Sequence, residues 1–470
     1  MAYTTIDKHS AHHKTVFYTG TGSDNSVTGV GFQPDWTWIK RLDGTNGHTL
    51  WDSVRGTTKW IESHSNNQEQ TYSDGLKSFD SDGFTVGDGN DINTNTASQI
   101  AFNWLAGGTA PTKTYKVVVV SDSGNKYRFR NSADDTTFGA SAVTLDLQEG
   151  GTYTFDVSDS SMNSHPFVIG TAANGTEYST GVTYKLDGVT KTYSQYTSGF
   201  SSASSRQLIF TVPASAPALY YWCSVHSGMG GAINTNDTHG SSNFSGAVQA
   251  TVSANTTAGF SVVKWTGTNG ASTVGHGLGV APKFIIIRRL AASTTVVYHE
   301  SLGNTKRLAL DDPGTPSTNS SFFNNTSPTT TTFAVGSDAG SNGSTDGYVA
   351  YCFAEKTGYC KISKYHGNGS SDGTFVNTGF KPTLVLYKNI SQNDEWFVKD
   401  SKRPLNQNPT DLMFWSADNA ETSLDRLNIF SNGFKLTTTD KGANTDGNEY
   451  VYLAIGQSIV GSNNIPATAR

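Results

Sequence analysis

Apolar residues along this chain fall either at every second position or in runs of four to six. Turn pairs such as Asp82-Gly83, Asp346-Gly347 and Asp446-Gly447 separate them. Both patterns predict β-strands, and no helical spacing persists beyond two turns. The same succession is written three times. Each copy opens on a short apolar strand: Lys14-Thr-Val-Phe-Tyr-Thr-Gly20, Gly259-Phe-Ser-Val-Val-Lys-Trp265 and Gly358-Tyr-Cys-Lys-Ile-Ser-Lys-Tyr365. Each continues through a Gly-Phe or Gly-Val and a proline into a hydrophobic strand, at Gly31-Phe-Gln-Pro34, Gly279-Val-Ala-Pro282 and Gly379-Phe-Lys-Pro382. A later strand carries Phe84, Phe333 or Phe434. These lie 50, 51 and 52 residues beyond their prolines, so the copies keep register. Repetition of a unit without marked catalytic residues points to reach or avidity rather than chemistry.

The pattern divides the chain into an N-terminal arm (1–13), a first sandwich (14–110), an unrelated module (112–236) and a connector (237–256). Second and third sandwiches (257–357 and 358–461) and a tail (462–470) follow. Gly107-Gly-Thr-Ala-Pro-Thr-Lys113 reads as a linker into the module. A length of 470 residues suits three or four domains. Charged residues make up 15%, against about 25% in an average globular protein, with 49 glycines and 11% aromatics in their place. Short strands and tight turns follow from that mixture, and the aromatics argue against disorder.

A net charge of −6 without a basic run lacks the footprint of nucleic-acid binding. No stretch reaches the roughly 20 apolar residues of a membrane span, so membrane insertion is not expected. The segment Met1-Ala-Tyr-Thr-Thr-Ile-Asp-Lys-His9 has no apolar core of a signal peptide, which predicts synthesis in a cytosol without export by the general route. Three cysteines, Cys223, Cys352 and Cys360, are too few for a disulfide framework. Cys352 and Cys360 are expected to be free thiols.

The series Gly31-Phe-Gln-Pro-Asp-Trp-Thr-Trp-Ile-Lys40, Trp51-Asp-Ser-Val-Arg-Gly56 and Phe79-Asp-Ser-Asp-Gly-Phe-Thr-Val-Gly87 resembles a module of tail-fibre-like structural proteins of marine bacteriophages. The opening Met-Ala-Tyr-Thr-Thr-Ile-Asp is similar to the start of such proteins. So is the second copy, from Ser253-Ala-Asn-Thr-Thr-Ala-Gly-Phe-Ser261 to Val274-Gly-His-Gly-Leu-Gly-Val-Ala-Pro282. The resemblance covers about three-fifths of the chain and implies concanavalin-like, jelly-roll sandwiches. The third copy is expected to depart most, with Lys399-Asp-Ser-Lys-Arg-Pro404 in place of the Trp51–Gly56 run.

Chemistry concentrates in Tyr220-Tyr-Trp-Cys223-Ser-Val-His226-Ser-Gly-Met229. A thiolate on a strand and an imidazole three residues later can converge on one metal across a tight loop, and a thioether can close the site from one side. Blue-copper centres take two His and one Cys with a long axial Met. His165, in Ser164-His-Pro-Phe-Val168, would supply the second imidazole from another strand-like segment. Over residues 114–236 the chain resembles cupredoxins, which implies a Greek-key β-sandwich and one type 1-like copper held by His165, Cys223, His226 and Met229. Many cupredoxins place the Met five residues past the second His, whereas here it is three.

Other candidates have plainer readings. Asp80-Ser-Asp-Gly83 and Asp88-Gly-Asn-Asp-Ile-Asn93 group oxygen ligands as a Ca²⁺ loop would, but their spacing is that of turns. His9, His12 and His13 are expected in an exposed polar arm. Trp36, Trp38 and Trp51 could stack on sugars, but core positions are favoured, since 36 and 38 share one face of a strand. Carboxylates are scattered over turns without a glycosidase-like pair.

The expected fold is therefore all-β, with three concanavalin or jelly-roll-like sandwiches and one cupredoxin-like sandwich. The expected protein is a non-enzymatic phage virion component, a tail fibre or capsid decoration, made in the host cytoplasm and released by lysis. Its partners would be other virion proteins and a host cell-surface glycan or protein, and a homo-oligomer, with a trimer among the options, is expected. A copper-binding electron carrier or scavenger with appended carbohydrate-binding modules is the competing expectation, and a polysaccharide-degrading enzyme a third.

Overall fold

The computed structural model describes residues 3–131, 133–403 and 411–460. The expected tail at 462–470 lies outside them, as does Pro404. Among the described residues the protein is almost wholly β, and the longest helix, Tyr193–Gly199, makes two turns. One strand order occurs three times. The first large sheet runs His13–Thr19, Ser98–Trp104, Trp36–Arg41, Thr49–Asp52, Lys59–Ile61, Gln70–Thr71. The second contains Phe260–Thr266, Gly347–Phe353, Phe284–Arg289, Val296–His299, Lys306–Ala309, Ser317–Thr318 in that order. The third runs Cys360–His366, Glu449–Ser458, Phe380–Asn389, Trp396–Asp400, Asp411–Phe414, Thr422–Ser423.

A small sheet covers one face of each large one. It is Asn25–Val27, Gly83–Val86 and Leu76–Asp80 in the first copy, and Ser272–Gly275 with Thr332–Val335 in the second. In the third it is Phe375–Asn377, Gly433–Leu436 and Leu427–Phe430. Phe84, Phe333 and Phe434 point from these small sheets into separate sandwich cores. The other face of every large sheet is buried too. Alternate residues of one strand serve the two sides: Ile39 fills the first sandwich while Trp36 and Trp38 leave it, and Val385 and Tyr387 contrast with Leu384 and Leu386 in the same way.

The outward-turned residues of all three large sheets meet in one shared core. Trp36 stacks on Trp104 of its own copy and on Tyr351 of the second, both at 4.3 Å between ring centres. Trp38 stacks on Trp415 of the third at 3.6 Å. Burial of each such ring stabilises by roughly 2–3 kcal/mol.

Polar contacts close the same circle. The sixth residue after each repeat proline is a buried cation: Lys40, Arg288 and Lys388. Each donates to a main-chain carbonyl of a neighbouring copy, Lys40 to Asp418 at 3.2 Å, Lys388 to Pro313 at 3.0 Å and Arg288 to Asn67. Main-chain bonds run beside them, from Glu69 to Leu290, Glu421 to Leu42 and Asp394 to Pro313. Every copy therefore touches both others in an approximately threefold arrangement within one chain.

The structure corrects the expectation that the third copy departs most. Asp52 accepts from Arg55 Nε at 2.5 Å, and Arg55 reaches Glu69 at 3.0 Å. Asp400 and Arg403 repeat the pair at 2.6 Å, with Glu421 as the second acid. Spacing decides this, because Asp-x-x-Arg survives in both runs. It is the second copy that differs, with His299 and Leu302 at the corresponding places.

Two segments are more ordered than their composition suggests. The N-terminal arm is not a free polar tail: Ile6 sits in the shared core, His13 is buried against Trp104, and His9 Nδ1 lies 2.9 Å from Gln457 Oε1. An apolar anchor two turns before the first strand holds it down. The segment read as a connector holds Ser241–Asn243 and Ala250–Asn255, which extend the second large sheet to eight strands. Those strands carry the module against the second copy, where Tyr115 donates to the Ser242 carbonyl at 2.6 Å.

Candidate metal centre

The module is a sandwich of a six-stranded and a four-stranded sheet. In the smaller one, Leu219–Cys223 lies between Gly231–Asn236 and Phe167–Gly170. Antiparallel register sets Phe167 opposite Cys223, so His165, two residues before Phe167, arrives beside the thiol. Aromatic packing fixes that register: Phe167 stacks on Tyr221 at 5.4 Å and on Phe155 at 4.9 Å. Tyr127 donates its hydroxyl to the His165 carbonyl at 2.9 Å, and Ser224 N donates to the Pro166 carbonyl at 3.1 Å. Past Cys223 the chain turns through Gly228 in the left-handed region, and Gly230 passes so close that a Cβ would meet the Tyr221 carbonyl at 1.8 Å.

The outcome is a converging donor set. Cys223 Sγ lies 3.9 Å from His165 Nδ1 and 3.7 Å from His226 Nδ1, and one ligand atom from each residue falls within 4.8 Å of the others. Cys223 is buried, His165 half-buried and His226 exposed, so the cluster opens at the module surface through one imidazole edge. Burial, then the neighbouring His226, lowers the pKa of His165, which favours the neutral imidazole a metal needs. The Asn125 amide sits 3.4 Å from His165 Nε2, the nitrogen turned away from sulfur. One thiol and two imidazoles without a carboxylate suit a late first-row ion such as copper or zinc. Met229 is buried in the module core, and its carbonyl accepts from Tyr127 N at 2.9 Å.

A family model described as a domain of unknown function (DUF7483) matches residues 8–129 and 233–458. The chain belongs to that family. Its matched parts hold all three repeated sandwiches, and the interval between them holds His165, Cys223, His226 and Met229. No curated protein matches the chain.

The remaining candidates resolve as structural residues of the DUF7483 frame. Asp82 accepts from Gly29 N and Gly31 N at 3.0 and 2.5 Å, which makes its loop a braced turn. Asn93, in the other acidic loop, donates its buried amide to the Gly87 carbonyl at 2.6 Å. Trp36, Trp38 and Trp51 are buried, as favoured from their spacing. All three cysteines are free, and burial raises the thiol pKa of Cys352 and Cys360 well above the usual range. Sequence reasoning missed Lys113, taken as part of a linker, which lines a cleft of about 600 Å³ between the module and the second copy. The signal was available, since Lys113 alternates with the exposed Thr112 and Thr114 at the start of a strand and so stands on the opposite face from them.

Proposed function

We propose that the chain is a non-enzymatic surface protein of a phage particle, a tail fibre or capsid decoration. It attaches the particle to the host surface or binds other virion proteins. One observation carries the reading: three repeated sandwiches lock around a shared core, so a single chain holds three sets of sandwich-end loops in fixed relation. Such loops vary while the scaffold stays rigid, and repetition multiplies weak contacts. The resemblance of the repeats to phage fibre modules supports the same reading. A threefold unit then needs no homotrimer, because the chain supplies all three parts itself. Purified chain added to host cells should bind them and reduce particle adsorption. Failure to bind either cells or particles would overturn the proposal.

The convergence of His165, Cys223 and His226 favours a second reading, a copper protein that carries electrons or scavenges metal, with the sandwiches as carbohydrate-binding modules. His165, Cys223 and His226 would hold the ion, with Met229 as a candidate fourth ligand. Bound copper would supply a one-electron redox couple. The exposed His226 edge, next to Val225 at 63% exposure, would offer an apolar docking point. On the attachment reading the same ion would chiefly stabilise the module, by about 2.7 kcal/mol at a hundredfold excess over its Kd. Cu(II) added to the full chain should give an intense visible thiolate-to-copper band at one equivalent, and Cys223→Ser should abolish it. No band and no stoichiometric uptake would refute the copper site.

A further inference from the structure

The cleft between the module and the second copy carries a feature that the scaffold does not use. Lys113, on the strand Thr112–Ser121, is the one charged side chain among the described residues lining its roughly 600 Å³. That volume is within the range of small-ligand sites, roughly 300–1,000 Å³. The ammonium donates to the carbonyls of Ser241 and Val252, both at 3.4 Å. Those lengths are at the outer limit of a hydrogen bond. The structural cations differ: Lys40 has carbonyls at 2.6, 3.1 and 3.2 Å. Burial alone lowers the Lys113 pKa, to about 8, and no carboxylate raises it. Lys113 is half-buried, and an ammonium partly withdrawn from water without a counter-ion gains from a ligand anion.

We propose that this cleft binds a carboxylated sugar, a uronic-acid unit of a surface polysaccharide, with its carboxylate on Lys113. A single ammonium without an arginine fork suits a singly charged carboxylate better than a phosphate or sulfate cluster. Around it stand neutral polar groups that match ring hydroxyls, the exposed hydroxyls of Thr112, Thr114, Thr256 and Thr330. The proposal deepens the attachment reading by naming receptor chemistry, and it rests on that reading for its biological sense.

The test is calorimetric titration of the full chain with tri-galacturonate and with the neutral galactose trimer. The uronide should bind and the neutral trimer should not. Lys113→Met should weaken uronide binding at least about tenfold, the change a single charge-assisted hydrogen bond supports. Thr330→Trp, an exposed substitution at the cleft, should block binding without touching the charge. Absence of uronide binding, equal binding of the neutral trimer, or unchanged binding by Lys113→Met would overturn the proposal. Uronide binding by a chain that binds neither host cells nor particles would leave this site standing and overturn the attachment reading. Cell binding without uronide binding would do the reverse.

Discussion

Replacement of Arg55 by methionine gives the sharpest test of how the sandwiches are joined. The Asp52 and Arg55 side chains are 0% and 1% exposed, so their charges are almost fully withdrawn from water. Arg55 also donates to Glu69 at 3.0 Å, to the Leu50 carbonyl at 3.1 Å and to the Tyr351 hydroxyl of the second copy at 3.3 Å. After Arg55→Met, Asp52 keeps the residue-55 amide at 2.8 Å and the Tyr351 hydroxyl at 2.9 Å, but its charge has no counter-ion. Breaking a buried pair on one side costs about 3–5 kcal/mol, whereas removing both charges is often close to neutral. The double variant Asp52→Asn, Arg55→Met should therefore be more stable than Arg55→Met, by about 1–3 kcal/mol. Urea unfolding followed by tryptophan fluorescence measures both, with the midpoint shift read at constant slope. A single variant within about 1 kcal/mol of the parent, or a double variant less stable than the single, would refute the reasoning.

Further outcomes follow from the same contacts. Arg403→Met should resemble Arg55→Met, because Asp400 and Glu421 repeat the pair, and equal stability to the parent in the same unfolding assay would count against that equivalence. Burial holds Lys40 and Lys388 at about 8, below the ordinary 10.5. Their charged forms therefore weigh against the folded state below pH 8, and that burden is relieved as pH rises towards 10.5. Each should add up to about 1.4 kcal/mol of stability per pH unit between pH 8 and 9.5. Lys40→Met with Lys388→Met should flatten that rise, and an unchanged slope in urea titrations would contradict it. Trp36→Ala should cost about 3–5 kcal/mol and loosen all three copies together, seen as one broad loss of hydrogen-exchange protection rather than a loss confined to the first. Native mass measurement should give a monomer of 50.2 kDa at micromolar concentration, and a stable trimer would count against a threefold unit made by one chain.

Much of this architecture was legible in the residues. Prolines 34 and 282 lie two residues before equivalent strands and Pro382 within the third, and the phenylalanines about 50 residues on sit on equivalent small sheets. Cys223, His226 and the distant His165 converge because strand register brings 167 opposite 223. The shared core was not legible. Alternation along Trp36-Thr-Trp38-Ile39 separates two faces but does not say whether the second face meets water or another sheet. Runs such as Phe284-Ile-Ile-Ile287, apolar on both faces, carried that information, since a strand covered on one side has no use for them. The Asp-x-x-Arg pair of the third copy was hidden by its altered neighbours, and the cleft position of Lys113 by its place in a sequence rich in turn formers.

Gold-labelled antibody against the chain, viewed by electron microscopy on intact particles from the culture that yields it, tests the central claim most directly. The account predicts label on the particle, at fibre tips for a receptor-binding role or over the capsid for a decoration. Particles that carry no label at either place would contradict it and turn attention to the Cys223 centre as the reason the chain exists.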